Sequence, residues 1–179
     1  TLKLNISAFI SASAIGIYGA QVSEKIFIEE DQAFEDFMGN CCKQWENAVD
    51  QFKPITRTVK FRLGVILDKN HGALPRIANM VKNGLGSPLG DGKQYMPWIH
   101  IEDAVNLFFE AILKKNISGT FNAVSGDFID NRNLTMKIGE ELNKKIWLPN
   151  VPSFVLKFLY GEMSDTILKG VKVSNKKIK

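Results

Sequence analysis

The chain has 179 residues, which is long enough for one domain with a substantial buried core. Apolar residues make up 45% and charged residues 23%, a balance that is typical of globular proteins and excludes general disorder. The formal charge is +4, but no aromatic residues alternate with the lysines of the tail (Lys172, Lys176, Lys177 and Lys179) and no nucleic-acid-binding motif occurs. We therefore predict a solvated or frayed tail and no nucleic-acid partner.

The two cysteines, Cys41 and Cys42, are adjacent. Neighbouring cysteines make poor structural disulfides and cannot form a metal site alone, so a reducing, cytoplasmic compartment is expected and no metal is predicted. The apolar start, Thr1 to Ala14, is too short to cross a bilayer, and no membrane partner is predicted. Because the sequence begins without methionine and enters a predicted strand at once, we expect a fragment of a longer protein.

The first half of the chain predicts a strand, a helix and a second strand. Leu4 to Ile10 reads as a buried parallel strand that delivers the small-residue run Ser11–Gly16 to the carboxyl edge of a sheet, where ligands bind in open α/β folds. A polar connector follows, and then apolar spacing predicts a helix from Phe37 to about Phe52. The next predicted strand is Thr58 to Leu63, which completes one crossover unit.

The second half centres on Gly84 to Ala104, which begins as a glycine-rich loop and turns abruptly aromatic. A helix starts directly after it, at Ile101. The other predicted elements are a helix over 73–83, a short strand over 119–123, a helix over 134–142 capped by the turn 131–133, and two helices over 154–159 and 165–168. We expect the loop and its aromatic residues to fold over the ends of the strands.

Several landmarks occur in the order found in one branch of the extended short-chain dehydrogenase/reductases. They are Ser11–Gly19, Trp45-Glu46, Arg62–Leu67, Gly72–Pro75, Gly84–Gly90 and Pro97–Asp103. From residue 11 to about 123 the chain resembles the atypical, NAD-dependent epimerase-like family. The segment from Leu148 is similar to the small C-terminal domain of unknown function that this family carries.

The resemblance implies an α/β fold: the C-terminal part of an NAD(P)-binding Rossmann-like parallel sheet plus a smaller, mainly helical substrate-binding subdomain. It divides the chain into a nucleotide-binding part over 1–70, a substrate-binding subdomain over 71–147 with one returning strand near 119–123, and the start of the small C-terminal domain over 148–179. The family's N-terminal glycine-rich turn, which holds the dinucleotide, has no counterpart here. The chain alone is therefore expected to bind NADP or NAD weakly or not at all.

The family's active members use a Ser or Thr, a Tyr and a Lys for proton transfer beside the nicotinamide. These positions fall on Ala14, with Ser13 one residue away, on Met38 and on Cys42, so the standard triad is not intact. The resemblance implies an NAD(P)-dependent epimerase or oxidoreductase acting on a small metabolite, with nucleotide sugars as the candidate class. The alternative is a catalytically silent dinucleotide-binding sensor or interaction protein, and a homodimer is compatible with both.

Candidate catalytic residues are Ser13, Tyr18 as a phenolic acid or base, and Cys42 as a thiol near the nicotinamide. Candidate cofactor contacts are Ser11, Ser13, Met38, Arg62, Gly64 and Val65, and candidate substrate contacts are Trp98, His100 and Lys93.

Simpler structural interpretations stand beside these roles. Tyr18 also fits a packed aromatic residue, Cys42 a small buried hydrophobe and Trp98 a core residue. Arg62 would be satisfied equally by a substrate anion or by a structural carboxylate such as Asp103, and His100 by a ligand or by a contact at the start of a helix.

Overall fold

A computed structural model describes residues 6–179, which form seven strands and six α-helices. The strands are β1 (Ala8–Ala14), β2 (Val22–Phe27), β3 (Arg57–Leu63), β4 (Val65–Leu67), β5 (Trp98–His100), β6 (Gly119–Ala123) and β7 (Gly170–Val173). The helices are α1 (Phe37–Asp50), α2 (Ala73–Lys82), α3 (Ile101–Leu113), α4 (Asn131–Glu141), α5 (Ser153–Tyr160) and α6 (Ser164–Leu168). Short 3₁₀ turns cover Ile15–Tyr18 and Gly161–Met163.

All the paired strands in the described residues are parallel. The largest sheet has the order β1–β3–β6, and two smaller sheets join β2 with β7 and β4 with β5. The fold is α/β, as the sequence predicted. No helix within residues 6–179 is long and apolar enough to cross a membrane.

The two faces of the three-stranded sheet differ in chemistry because side chains alternate along a strand. Val59 and Phe61 of β3 join an apolar cluster with α3, where the rings of Phe61 and Phe108 lie 5.0 Å apart. Lys60 and Arg62 point the other way, towards α1, and form ion pairs with its carboxylates. The layer between α1 and the sheet is therefore polar, whereas the layer under α3 is the apolar core.

The predicted crossover unit is confirmed. Strand β3 begins one residue before the predicted Thr58, α1 begins at Phe37, and β1 and β3 are parallel neighbours with Ser13 opposite Arg62. The strand at Gly119–Ala123 and the helices beginning at Ala73 and Ile101 are confirmed as well.

The end predicted for the first strand is wrong. The strand continues through the small-residue run to Ala14, and the first residues of the predicted strand lie outside the described residues. Serine and alanine side chains are short enough to lie under the helix, so this run pairs with β3 as a strand. The turn begins only at Ile15.

Two segments predicted to lack regular structure form a sheet together. The polar connector contains β2 and the lysine-rich tail contains β7, and the two strands pair in parallel. Lys176, Lys177 and Lys179 are exposed, as predicted, but Val171 and Val173 are buried in a strand, so the prediction of a frayed tail is wrong. The pairing joins residues about 150 positions apart, and local patterning carries little information on such contacts.

Hydrogen bonds connect the glycine-rich loop to residues before α5 and at the end of α6. The Gly90 amide donates to the Val151 carbonyl, and the Gln94 side chain donates to the carbonyls of Leu89 and Ile167.

The N-cap of α4 differs from the prediction. The turn 131–133 was predicted to cap the helix, but the helix starts at Asn131 and its cap is Asp130, which accepts from the Asn133 amide at 2.6 Å.

Candidate functional site

A row of polar side chains crosses the three-stranded sheet near the carboxyl ends of its strands. Ser13 of β1 lies opposite Arg62 of β3, which lies opposite Asn122 of β6. All three are at most 6% exposed. We call these three residues the polar row. Buried polar groups are costly unless they are hydrogen-bonded, so the bonds of the row describe the site.

Glu46 of α1 connects the row to the helix above it. Its carboxylate accepts from Arg62 Nε at 2.8 Å, from Arg62 Nη2 at 3.0 Å and from Ser13 Oγ at 2.8 Å. Lys60 Nζ lies 3.3 Å from the same carboxylate and 2.8 Å from Asp50 Oδ1. Burial acts to raise the pKa of Glu46, but the hydrogen bonds and charge of Arg62 and the Ser13 hydroxyl outweigh it, so the pKa lies below its usual range.

Tyr18 contacts Arg62 and Asn122 of the polar row and is completely buried. Its hydroxyl is 2.7 Å from Asn122 Oδ1 and 2.9 Å from the Ile28 carbonyl oxygen, and it accepts from Arg62 Nη1 at 2.9 Å. Burial raises the pKa of the phenol despite the neighbouring Arg62. These contacts favour the packed-aromatic interpretation of Tyr18 over the acid–base role.

Arg62 is satisfied inside the protein. Besides Glu46 and Tyr18, it donates from Nη1 to the Glu29 carbonyl at 3.0 Å. Its pKa is raised by these partners, against the effect of burial. The sequence left two partners open for Arg62, a substrate anion or a structural carboxylate such as Asp103. The structure favours a structural carboxylate, and that carboxylate belongs to Glu46.

Two sulfur-containing side chains of α1 lie beside Gly16, just past the end of β1. A Cβ atom on Gly16 would be 3.2 Å from Met38 Cε and 3.6 Å from Cys42 Sγ. Burial and the charge of Glu46 raise the pKa of the Cys42 thiol, so this thiol is protonated near neutral pH. Met38 and Cys42 therefore pack against Gly16 at the carboxyl end of the sheet, where Cys42 is only 5% exposed.

The other predicted cofactor contacts use their polar atoms internally. The Ser11 hydroxyl donates to the adjacent Ala12 carbonyl. The Gly64 amide donates to the Ala123 carbonyl and the Val65 amide to the Pro97 carbonyl. A Cβ on Gly64 would lie 2.7 Å from that same Pro97 oxygen, so the glycine allows two backbones to approach.

The predicted substrate contacts lie on β5 and the loop before it. Trp98 is half-buried, and its backbone carbonyl accepts from the Ser125 amide at 2.6 Å. The exposed His100 caps α3, because its Nδ1 accepts from the Glu102 amide at 3.3 Å. Lys93 is exposed. None of these three side chains has a recorded contact with the polar row among the described residues.

Sequence reasoning did not select Glu46, Asn122 or Lys60 as site residues, although they organise the buried layer. One available signal was the spacing of Glu46, which lies four residues after Cys42 on the buried face of α1. A polar cleft of about 640 Å³ flanks this layer between α1, β3 and the loop at residues 32–35, and Lys60 and Arg62 are among its lining residues.

Comparison with known proteins shows which proteins the chain is similar to. Residues 151–179 match the domain of unknown function DUF1731. The chain is 36% identical over 170 residues to the epimerase family protein YfhF of Bacillus subtilis, which covers 94% of this chain and 55% of YfhF. It is 33% identical over 167 residues to the chloroplastic SDR39U1 homologue of Arabidopsis thaliana, covering 93% of this chain and 48% of that protein. Over nearly all of its own length the chain is similar to epimerase family proteins.

The solved structures agree with this similarity. A crystal structure of the human epimerase family protein SDR39U1 (isoform 2) with NADPH superposes with a TM-score of 0.88 at 28% identity, over 95% of this chain and 58% of the human one. The chain spans about half the length of the curated epimerase family relatives that it matches. Over that half it has the α/β fold of NAD(P)-binding epimerases.

Proposed function

We propose that this chain contributes the nicotinamide and substrate side of an NADPH-dependent epimerase or oxidoreductase that acts on a small metabolite, with nucleotide sugars as the first class to test. The observation that carries the proposal is the cluster of Gly16, Met38 and Cys42 at the carboxyl end of a parallel sheet. Ligands of open α/β sheets bind at this edge. The human relative crystallised with NADPH shares the fold.

The described residues fit one end of the cofactor better than the other. A flat nicotinamide ring suits a glycine backbone bordered by a thioether and a thiol. The pyrophosphate needs several unused backbone amides, yet in the glycine loop of the described chain the Gly90 and Gly92 amides already donate to Val151 and Leu89. We therefore assign Met38 and Cys42 to the ring and assign no phosphate contact to that loop.

The side chains limit how a proton could move. NADPH, when bound, supplies a hydride to a carbonyl carbon, and the carbonyl oxygen then requires a proton. The Ser13 hydroxyl donates to Glu46 and the Tyr18 hydroxyl donates within its buried network, so neither proton is free. The Cys42 thiol is protonated, and we assign it as the donor, which regains its proton from water.

A second candidate function is cofactor binding without turnover. The high pKa that keeps Cys42 protonated also makes it a weak acid, and Met38 cannot transfer a proton at all. The same cluster would then serve a dinucleotide-binding sensor or interaction protein.

Saturation-transfer NMR on the chain with NADPH tests the binding step, because it detects weak complexes. We expect stronger transfer to nicotinamide protons than to adenine protons. Met38→Lys should abolish the transfer, whereas Met136→Lys, at an exposed position of α4, should leave it unchanged. Transfer that is insensitive to Met38→Lys, or dominated by adenine, would refute the assigned cluster.

Turnover separates the two candidates. NADPH oxidation is followed with a panel of carbonyl compounds, and epimerisation of UDP-sugars is followed by NMR. Activity that is lost in Cys42→Ala and retained in Cys41→Ala supports the enzyme, since Cys41 is exposed on the same helix. Binding without turnover across the panel selects the silent protein.

A cytoplasmic location and a homodimer are predictions from the sequence. The Arabidopsis relative is called chloroplastic.

A further inference from the structure

Residues 170–178 pair with β2 and contact the residues that follow β6. We call these residues the β7 segment. Strand β7 continues past its pairing with β2, where the Ser174 amide donates to the Phe27 carbonyl at 2.8 Å. Ser174 and Asn175 are at most 8% exposed, and Ile178 packs against the apolar core under α3. This segment lies within the DUF1731 match, to which no function is assigned.

Asn175 fastens the β7 segment to the end of β6. Its Nδ2 donates to the Val124 carbonyl at 3.2 Å and to the Ser125 carbonyl at 2.9 Å. The chain then turns at Gly126, which has a φ of +87°, and a Cβ there would lie within 2.7 Å of three atoms of the Asn175 side chain. The asparagine and the glycine therefore fit each other, and both conditions favour glycine at residue 126.

The neighbouring residue of the β7 segment fixes the orientation of a buried amide. Asn122 Nδ2 lies 3.2 Å from the Ser174 carbonyl oxygen, which can only accept a hydrogen bond. The NH₂ group of Asn122 must therefore face Ser174, and its Oδ1 must face the Tyr18 hydroxyl at 2.7 Å. Because Oδ1 has no proton, the Tyr18 hydroxyl donates towards it, and the Ile28 carbonyl oxygen, 2.9 Å away, is a second and more distant acceptor for the same proton.

The direction of the next bonds follows from this first one. With its proton directed at these acceptors, and at the shorter distance towards Asn122, the Tyr18 oxygen accepts from Arg62 Nη1. The guanidinium also donates twice to Glu46, which accepts the proton of Ser13. One directed chain of hydrogen bonds therefore runs from the backbone of the β7 segment across the polar row to β1.

We propose that the β7 segment of the DUF1731 region orients the polar row, with Asn175 and Asn122 as positioning residues that act through Tyr18 and Arg62. Asn175 holds Ser174 in place, Ser174 sets the direction of the Asn122 amide, and that amide sets which way the Tyr18 proton points. This coupling is independent of ligand. Only its effect on NADPH rests on the proposed function.

Asn175→Asp tests the coupling with almost no change of size. It replaces two donated hydrogen bonds with a carboxylate facing two carbonyls, so amide hydrogen exchange at residues 122–126 should become roughly tenfold faster or more. The decisive readout is the NMR signal of isotope-labelled tyrosine Cζ. We expect the Tyr18 signal to shift while the signal of exposed Tyr160 stays in place. Lys177→Gln, a charge removal within the same segment, should move neither signal.

An unchanged Tyr18 signal in Asn175→Asp, with faster exchange confined to residues 122–126 and 173–176, would overturn the coupling. If that variant does not fold, Asn175→Ser keeps one donor and should give a smaller Tyr18 shift in the same direction; no shift there is equally decisive against it. Saturation transfer to NADPH should fall in Asn175→Asp. Absence of transfer in the unmodified chain counts against the proposed function alone, because the tyrosine readout needs no ligand.

Discussion

Replacing Glu46 with glutamine tests how much of the fold depends on the layer beneath α1. The carboxylate receives two hydrogen bonds from Arg62 and one from Ser13, and it lies 3.3 Å from Lys60 Nζ. Glutamine keeps the shape and removes the charge, which leaves the Arg62 guanidinium buried without its counter-ion. Removing one partner of a buried ion pair costs about 3–5 kcal/mol.

For a chain of this size, a loss of about 3 kcal/mol corresponds to a fall in Tm of roughly 6–12 °C. Urea unfolding at neutral pH should give a lower midpoint with an unchanged m-value. Glu24→Gln is the control, because the Glu24 side chain is 85% exposed and its pair with Lys172 should contribute nothing measurable.

The pH dependence gives an independent check. Because the folded-state pKa of Glu46 is lowered, its stabilising effect is fully present above the unfolded-state pKa and is lost as the pH falls through the folded-state value. The stability difference between the two proteins should therefore be constant at neutral pH and shrink on acidification below about pH 4.3. Equal midpoints at neutral pH, or a difference that persists unchanged in strong acid, would refute the reasoning.

Three further substitutions or modifications have defined outcomes. Gly64→Ala should lower the unfolding midpoint more than Gly84→Ala, because the added methyl would lie 2.7 Å from a backbone carbonyl at Gly64, whereas at Gly84 it meets nothing within 4 Å and the cost is only that of a φ of +74°. In the native chain a thiol reagent should modify Cys41 much faster than Cys42, as counted by mass spectrometry, because Cys42 is buried and its pKa is raised; comparable rates would contradict this description of the Cys42 thiol. His100→Ala should cost about 1 kcal/mol of stability through loss of the α3 cap, whereas His100→Asn should restore it.

The sequence predicted the helices and strands whose pattern is local. The apolar positions of α1 and α3 repeat at helical spacing, and β3 is bounded by a clear change of pattern, so these elements lie close to the predicted positions. The β2–β7 pairing was missed because nothing within either segment indicates its partner. The small residues at the end of β1 predict a loop, since alanine is depleted in strands and serine is common in turns.

The candidate site was predicted less well than the fold. The sequence placed Ser13, Tyr18 and Arg62 in one neighbourhood, and the structure does bring them together around Glu46. The partners that decide what these groups can do are Glu46, Asn122 and the Ser174 backbone. A sequence gives residue types, but the direction of a hydrogen bond depends on which group lies opposite, and that is set by sheet register and by chain segments far away.

The position of Glu46 also connects stability with the proposed chemistry. Met38, Cys42 and Glu46 follow each other at intervals of four residues and so lie along one face of α1. At the Glu46 end of this face, the helix is fixed to the sheet by polar contacts with Arg62, Lys60 and Ser13 and not by apolar packing. Apolar packing tolerates small rotations of a helix, but a bidentate guanidinium–carboxylate pair does not. Glu46 lies about one turn from Cys42 and two turns from Met38, so its ion pair with Arg62 fixes how far both side chains lie from Gly16. Changes at Glu46 should therefore alter NADPH contact as well as stability.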